Sequence, residues 1–592
     1  MPALISVALV LAALLPPHLV DAALYQNLDA LPTNVKPFDF TVAGGGTAGS
    51  VLASRLSENR DFNVLLIEAG NDTVGVIELE VPAWASKRND TEFNWRFESE
   101  PMPGLNNRTL AIPRGRGLGG SSAINAMAYT RGSADDYDNW GRVTGDSRWG
   151  WNALWPYIQR HERWTPPAGG RDPTGQFDPK VHGYEGNTQT SLVWAEPSDF
   201  DLRVRTNGLL QKKEFPNVLD LNAGKPIGAT WLQSTIGNGE RCSAAKGYLT
   251  PSVRERPNLT IVLNTYITRV LPSKSSKKLD IRTVEIAPRD GGARRTLTAS
   301  KELILSAGVI GSPQILLNSG IGNKADLTAH GIPSVLDVPD VGQGITEHVS
   351  IAASFGTVPL NQTTSRTFSC DYDDRIDDAT ALAMWQQNRT GPLTERFTSH
   401  QLLWFRLPSD TPLFKQYKDA STGPTSPQFE WGLDATGGGT LVLLSPYSRG
   451  SLKLRSNDPF AKPRIDYNLL SHPYDLAALK EGLRSLKRYY SGPAWDGYIT
   501  GFKGPDPDIL SDAEFEKTIR DTAFTTLHPV GSAQMSPRNS KRGVVDSELR
   551  LKSASGLRIV DASVFPYVPA AHSQAPVYIL AERAVDLIRS VW

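Results

Sequence analysis

Between Phe38 and Glu68 the hydrophobic pattern changes period twice. Phe38 to Ala43 is a short run of aromatic and β-favouring residues, the pattern of a buried strand. Gly44, Gly46 and Gly49 follow with the spacing Gly-x-Gly-x-x-Gly, and Val51, Leu52 and Leu56 recur at helical spacing. That predicts a helix starting near Thr47. Asn63 to Ile67 then reads as a second strand, with Glu68 at its end. Strand, glycine turn, helix, strand and acid stand in the order of a dinucleotide-binding unit. The glycines permit a tight turn and close backbone approach, and the helix start at Thr47 and Ala48 turns free N–H groups toward a pyrophosphate. Glu68, about 20 residues on, can accept from a ribose hydroxyl, and its charge disfavours a 2′-phosphate. The pattern alone leaves a nicotinamide and a flavin both open.

A different pattern opens the chain. An apolar run from Leu4 to Leu15 leads through prolines to Val20-Asp21-Ala22. The run is short for a bilayer span, and small residues precede Ala23, so residues 1–22 read as a cleaved signal peptide of a secreted protein. The segment lacks the usual early Lys or Arg, and a membrane anchor is the competing reading. No second run of about 20 apolar residues exists. Further along, SHQLLWFRLPS (399–409) is apolar and aromatic-rich, and reads as a core strand in preference to a pocket wall.

At 592 residues the chain exceeds one simple core, and two or more closely packed domains are expected. Lys+Arg and Asp+Glu both total 62, so no net charge draws it to nucleic acid or an acidic membrane. Six Asn-x-Ser/Thr sites, at Asn71, Asn89, Asn107, Asn258, Asn361 and Asn388, favour a glycoprotein. The only cysteines, Cys242 and Cys370, leave one disulfide or two buried thiols open. No metal-ligating set is assigned.

A second glycine-rich stretch, PRGRGLGGSSAINAMAYTRGSADDYDNW (113–140), brings glycines, arginines and serines into one loop. Its chemistry suits an extended backbone cradle with cations, for more pyrophosphate or the edge of an isoalloxazine. A purely structural loop is the other reading.

Through this stretch and three further motifs, the chain resembles the glucose–methanol–choline (GMC) oxidoreductases, a family of FAD enzymes, from about Phe38 to the C-terminus. Residues 113–140 look like the family's first signature and SAGVIGSPQILLNSGIG (306–322) like its second. HPVGSAQM (528–535) and GLRIVDASVFPYVPAAHSQAPVYILAERAVDLI (556–588) look like its C-terminal block. TGQFDP (174–179) and GKPIGATWLQSTIGNGERCS (224–243) are most similar to secreted fungal aryl-alcohol oxidases and pyranose dehydrogenases.

The resemblance implies an α/β fold, with a Rossmann-like FAD-binding domain interleaved with a substrate domain on an antiparallel sheet with helices. The N-terminal region would span 38–345, with part of the substrate domain at about 140–231. Most of the substrate domain would span 346–539, and 540–592 would return to the FAD domain. The ADP half of a tightly held FAD would lie along Gly44, Gly46, Thr47, Ala48, Gly49 and Glu68. The backbone of Ile267, in a strand TIVLNTYITRVL, would hold the adenine. Ser122, Asn125, Ala126, Met127 and Ala128 would line the flavin, and Asp561, Ala562, Ser573 and Gln574 would close over it. Ile124 stands where some relatives bind flavin covalently through histidine; it has no nucleophile, so non-covalent FAD is expected. At 341–348 the sequence VGQGITEH replaces the usual Asn with Gly344 but keeps His348.

His528 and His572, two of nine histidines, match the family's active-site pair. His528 would be the general base for the hydroxyl proton, with His572 orienting the hydroxyl and stabilising charge on its oxygen. The expected reaction is oxidation of a primary, aryl or allylic alcohol, with electrons passed to O₂ or a quinone by a monomeric enzyme. The alternatives are a pyranose dehydrogenase with quinone acceptors, an alcohol oxidoreductase of secondary metabolism and, more remotely, a flavin-dependent lyase, a non-catalytic FAD-binding protein or a structural glycoprotein. Three departures from aryl-alcohol oxidases, Leu105, Leu527 and the glycine-rich stretch after Trp431, imply a more open entrance with fewer aromatic side chains.

Overall fold

The structure, a computed structural model, describes residues 23–85, 91–273, 278–358, 376–395 and 400–592. The N-terminal apolar run, Asn89, Asn361 and Cys370 lie outside the described residues. Six short strands form a wholly parallel sheet in the order Leu24–Tyr25, Leu259–Val262, Val64–Ile67, Phe40–Ala43, Glu302–Leu305, Leu557–Ile559. Every side chain of the four central strands is buried, as continuous apolar runs in a sheet covered on both faces require. The predicted strand–turn–helix–strand is present at Phe40–Ala43, Thr47–Leu56 and Val64–Ile67. The chain next adds Leu259–Val262 beyond Val64–Ile67 and then crosses to Glu302–Leu305 on the other side of Phe40–Ala43, so the strand order reverses at the strand that leads into the glycine turn, where such sheets bind ligands. The C-terminal helix Gln574–Arg589 packs on Thr47–Leu56 and is tied to it by an Arg55–Glu582 ion pair of 2.9 Å.

The single strand expected at TIVLNTYITRVL is replaced by two. They are Leu259–Val262 in the parallel sheet and Thr265–Pro272 in a separate three-stranded antiparallel sheet. Asn264 breaks the run with φ 48°. Hydrophobic periodicity does not register such a break, because both halves are apolar.

A second, antiparallel sheet of seven strands stands beside the first. Its path is Ile499–Phe502, Val349–Thr357, Gly438–Leu443, Phe429–Leu433, Gln401–Phe405, Gly228–Trp231, with Phe524–Thr525 also paired to Val349–Thr357. Gln401–Phe405 is buried throughout, the core strand expected of SHQLLWFRLPS. The stretch after Trp431 completes one strand and forms the next, so it is a hairpin of the sheet. The period-2 rule sorts the faces. Phe429, Trp431 and Leu433 join the main core, while Glu430 lies between them in sequence and points the other way. On that opposite side Val442 and Leu444 pack on Ala570.

The fold also sorts the glycosylation candidates. Asn107 and Asn388 are exposed and Asn71 is half-buried. Asn258 is 8 % exposed, and its side-chain nitrogen donates to the carbonyls of Ser57, Asn59 and Phe62 at 3.1, 3.0 and 2.8 Å. A glycan on that nitrogen is incompatible with the fold, which corrects the Asn258 assignment. Cys242 is buried and accepts the N–H of Gln189 at 3.2 Å. Among the described residues no helix is long and apolar enough to cross a membrane. Glycopeptide mapping of folded protein secreted from a eukaryotic host should find Asn258 unmodified and Asn107 and Asn388 carrying glycans. Occupancy of Asn258 would contradict this packing.

Candidate active site

A cavity of about 570 Å³ runs from the glycine turn to His528 and His572. At one end Gly44 holds φ 114°, with the backbone of Ser306 where a side chain would begin. Gly46, Thr47 and Ala48 line the cavity, and the helix they start has no side-chain cap, so its first N–H groups are open to a ligand. Gly49 is placed differently. It does not line the cavity; a Cβ there would collide with the carbonyl of Gly44, so its role is helix–turn packing.

Glu68 does more than reach a ribose. Its carboxylate accepts the N–H of Gly45 at 2.8 Å, of Gly70 at 2.9 Å and of Gly117 at 2.9 Å, while still lining the cavity. Burial pushes its pKa above the ordinary carboxylate range, against the pull of those N–H groups. The acid therefore fastens the first glycine turn to the second glycine loop. Gly120 (φ 52°) lies so close that a Cβ would stand 2.7 Å from the Cα of Gly46.

The arginines of this second loop are braces. Arg114 donates to the carbonyl of Leu527 at 2.8 Å, and Arg116 donates to the carbonyl of Glu92 at 2.6 Å. Arg114 lines the cavity; Arg116 does not, which corrects the expectation of two cations facing the ligand. Ser122, Ile124, Asn125, Ala126, Met127 and Ala128 all line the cavity. Asn125 donates to Gln574 and accepts from the N–H of Met127 at 3.0 Å, and Met127 is held at φ 68°. Ile267, Asp561, Ala562, Ser573 and Gln574 line it as well. Asp561 accepts from the N–H of Gly308 at 2.9 Å and from Ser312 at 2.6 Å, which fixes the start of the helix Gly308–Asn318. Several lining residues were not singled out from the sequence. They include Ala307 to Gly311, Asn318, and the ring chain Phe97–Trp95–Tyr266–Phe460 beside Ile267. Leu105, expected near the entrance, is fully buried in the main core and lies off the cavity.

At the other end two chain segments run side by side. Val349 pairs with Thr525, and Thr346 bridges Val530. This register sets His348 beside His528, with their Nδ1 atoms 3.1 Å apart and their rings perpendicular. His572 comes from the C-terminal segment, where its N–H donates to Thr130 at 2.7 Å and that of Ala570 to Asp136 at 3.0 Å. The rings of His528 and His572 meet edge to face, with centroids 4.7 Å apart. Nε2 of His572 lies 3.0 Å from Glu430, the carboxylate that faces away from the core on Phe429–Leu433. Neither Glu430 nor Glu347 was predicted. A lone acid within the apolar run FEWGL was the available signal for Glu430.

The electrostatics of the two ends differ. Burial, followed by the charges of His572, His348 and Arg114, holds His528 well below the usual imidazole value of 6.5. Burial lowers His348 to about 3 and raises Glu347 to about 7. Leu527, just before His528, adopts φ 65°, a strained conformation costing roughly 1–2 kcal/mol. Among the described residues, the only rings in contact with His528 or His572 are imidazoles.

The GMC oxidoreductase family models match residues 38–350 and 446–581. The chain belongs to the GMC oxidoreductases. It is 39% identical to a pyranose dehydrogenase of Agaricus xanthodermus, over 98% of this chain and 97% of that one. It is 38% identical to pyranose dehydrogenase 3 of Leucoagaricus meleagris, over 96% and 98%. A fungal aryl-alcohol oxidase structure superposes with a TM-score of 0.80 at 25% identity, over 94% of this chain and 99% of that one. An FAD-dependent oxidoreductase of Chaetomium thermophilum gives 0.81 at 27%, over 94% and 99%.

As a GMC oxidoreductase the protein acts on CH–OH groups with FAD as cofactor. Its cavity fits that group. Side chains at Gly44 and Gly120 would collide with the backbone of Ser306 and Gly46 that shapes the cradle, and the helix at Thr47 opens uncapped N–H groups to it. The buried Oδ1 of Asn318 lines the cavity with no partner among the described residues, an acceptor ready for a ligand N–H. Ile124 lines the cavity with an unreactive side chain. Replacing Glu68 by Ala would strand three buried N–H groups, a loss of roughly 3 kcal/mol or more. Glu68→Ala should lower the melting temperature and the flavin-to-protein absorbance ratio together. Wild-type values for both would refute this account of Glu68.

Proposed function

We propose that this GMC oxidoreductase is a secreted glycoprotein that oxidises a hydroxyl of a pyranose sugar and passes the electrons to a quinone. The observation that carries the sugar reading is similarity over nearly the full chain to proteins named pyranose dehydrogenase, at 38% and 39% identity. It favours a sugar over the aryl or allylic alcohol expected from the sequence, although an aryl-alcohol oxidase is among the structures similar to this chain. The site supports it. The groups meeting at the histidine end are polar or aliphatic (Thr526, Leu527, His528, His572 and, behind them, Glu430), and no aromatic side chain among the described residues stacks on the pair. A polyhydroxylated substrate matches such a set better than a benzylic ring does.

In this reading 38–345 and 540–592 form the FAD domain, with part of 140–231 and most of 346–539 serving the substrate. FAD is held non-covalently and, when bound, supplies the two-electron acceptor for a hydride. His528 lines the cavity as a neutral imidazole and takes the hydroxyl proton. As that proton leaves, the C–H electron pair is released with its hydrogen and the C=O bond forms. His572 orients the hydroxyl. Nε2 of His572 donates to Glu430 at 3.0 Å, which fixes the ring against the strand Phe429–Leu433 and holds it where it can meet the substrate oxygen. Four backbone ties hold this geometry: Thr346 to Val530, Thr130 to His572, Asp136 to Ala570, and Glu347 to His528 at 2.9 Å. The leader at 1–22 is removed on export, and Asn107 and Asn388 carry glycans.

The test is a panel of aldopyranoses and benzylic alcohols, each read with benzoquinone and with O₂. Pyranoses should turn over with benzoquinone at least about ten times faster than with O₂, a gap of ~1.4 kcal/mol in barrier. Turnover restricted to benzylic alcohols with stoichiometric peroxide would replace this reading with the aryl-alcohol one. His528→Ala should slow anaerobic flavin reduction by about 10²- to 10⁴-fold. Because the pKa of His528 is lowered, its base form persists as pH falls through 6.5. The acid limb of the reduction rate should therefore lie below that value, and a limb centred at or above it would count against His528 as the base.

A further inference from the structure

His348 carries no role in the reaction above, yet it makes the closest polar contact to the ring of His528. We propose that His348 is a positioning residue that fixes the proton of His528 on Nδ1 and leaves its Nε2 bare toward the cavity, an inference that rests on His528 being the base.

Two imidazole nitrogens 3.1 Å apart can hold one proton between them. Two lone pairs, or two N–H groups, would repel at that distance. The surroundings of His348 decide which ring is the donor. Its Nε2 is buried and has no partner at hydrogen-bond geometry among the described residues. With Nδ1 turned to His528, Nε2 is the nitrogen left to the backbone carbonyls of Leu444 and Pro569 that act on this ring, and a carbonyl can only accept. A lone pair on Nε2 would oppose those carbonyl dipoles, whereas an N–H is attracted to them. The proton of neutral His348 therefore sits on Nε2, and its Nδ1 offers a lone pair. His528 must then donate from Nδ1, and its second nitrogen is free to accept.

The choice of partner matters chemically. A carboxylate behind a catalytic imidazole holds the tautomer and also stabilises the charged ring. A neutral imidazole, itself held to about 3 by burial, holds the tautomer without placing a charge next to it. The charged or titratable groups facing His528 are Arg114 from the glycine loop, His348 and Glu347 from the start of Val349–Thr357, and His572 from the C-terminal segment, with Glu430 behind it. Glu347 secures the same arrangement from the backbone. One carboxylate oxygen accepts the N–H of His528 at 2.9 Å and the hydroxyl of Thr526 at 3.3 Å, while the N–H of Thr526 donates to the carbonyl of His348 at 3.2 Å. The two histidines are thus clamped ring to ring and backbone to backbone.

The experiment compares FAD-loaded His348→Leu and His348→Asn. Leu removes the acceptor, and Asn places an amide oxygen near the position of Nδ1. His348→Leu should slow anaerobic flavin reduction about 10- to 100-fold with little change in substrate affinity, the range for loss of an outer orienting partner. His348→Asn should recover most of that rate. Equal rates in wild type and His348→Leu, or an Asn variant as slow as Leu at equal flavin content, would overturn the proposal. ¹⁵N NMR of histidine-labelled wild-type holoenzyme, with the His528 signals assigned by their loss in His528→Ala, tests the tautomer without relying on a substitution at 348. A protonated Nδ1 and bare Nε2 are expected, and the opposite tautomer would overturn the assignment. Failure of the base reading looks different: His528→Ala would then reduce flavin at the wild-type rate.

Discussion

The architecture of this GMC oxidoreductase depends on one buried carboxylate. Glu68 accepts N–H groups from the first glycine turn, from Gly70 two residues beyond it, and from the second glycine loop. Without it, two loops rich in glycine, and therefore costly in conformational entropy to order, would have few side chains to hold them together. With it, they form one cradle whose backbone faces the cavity. The acid that sequence patterns associate with a ribose is thus also the fastening of the cradle itself. Both tasks use the same hydrogen-bonded carboxyl group, whose pKa burial raises while the N–H donors pull it back down.

The opposite end of the cavity is organised by where protons sit. Three imidazoles stand in a row, and the partners at the two ends of the row are unlike. Glu430 gives His572 a carboxylate partner, while His528 meets the ring of His348. Burial keeps His528 and His348 uncharged. Two chemically identical side chains at the cavity wall therefore stand in different surroundings, one against a second imidazole and one against a carboxylate. The sheet makes this possible, because Glu430 lies on the face opposite Phe429 and Trp431 and is the one acid placed among those apolar neighbours.

The cofactor end was largely legible from the chain. Gly44, Gly46, Thr47, Ala48 and Glu68 line the cavity because their roles are local, set by turn geometry and the start of one helix. Residues whose meaning depends on a distant partner were not legible. Gly49 turned out to pack a helix, Arg116 to brace a carbonyl, Leu105 to fill the core, and Asn258 to hold a turn. Each has a composition-level meaning that its actual neighbour replaced.

The first strand–turn–helix–strand unit, the glycine cradle, the unreactive Ile124 and the candidacy of His528 and His572 were legible in the sequence itself, since each follows from local periodicity or from the resemblance of short motifs to a family pattern. The tertiary structure alone decided that His348 faces His528, that Glu430 faces His572, and that Glu68 joins two loops. The physical reason is separation along the chain: these contacts link residues 180, 142 and 49 positions apart. Their geometry is set by sheet register and by the meeting of two sheets, neither of which leaves a trace in short-range pattern.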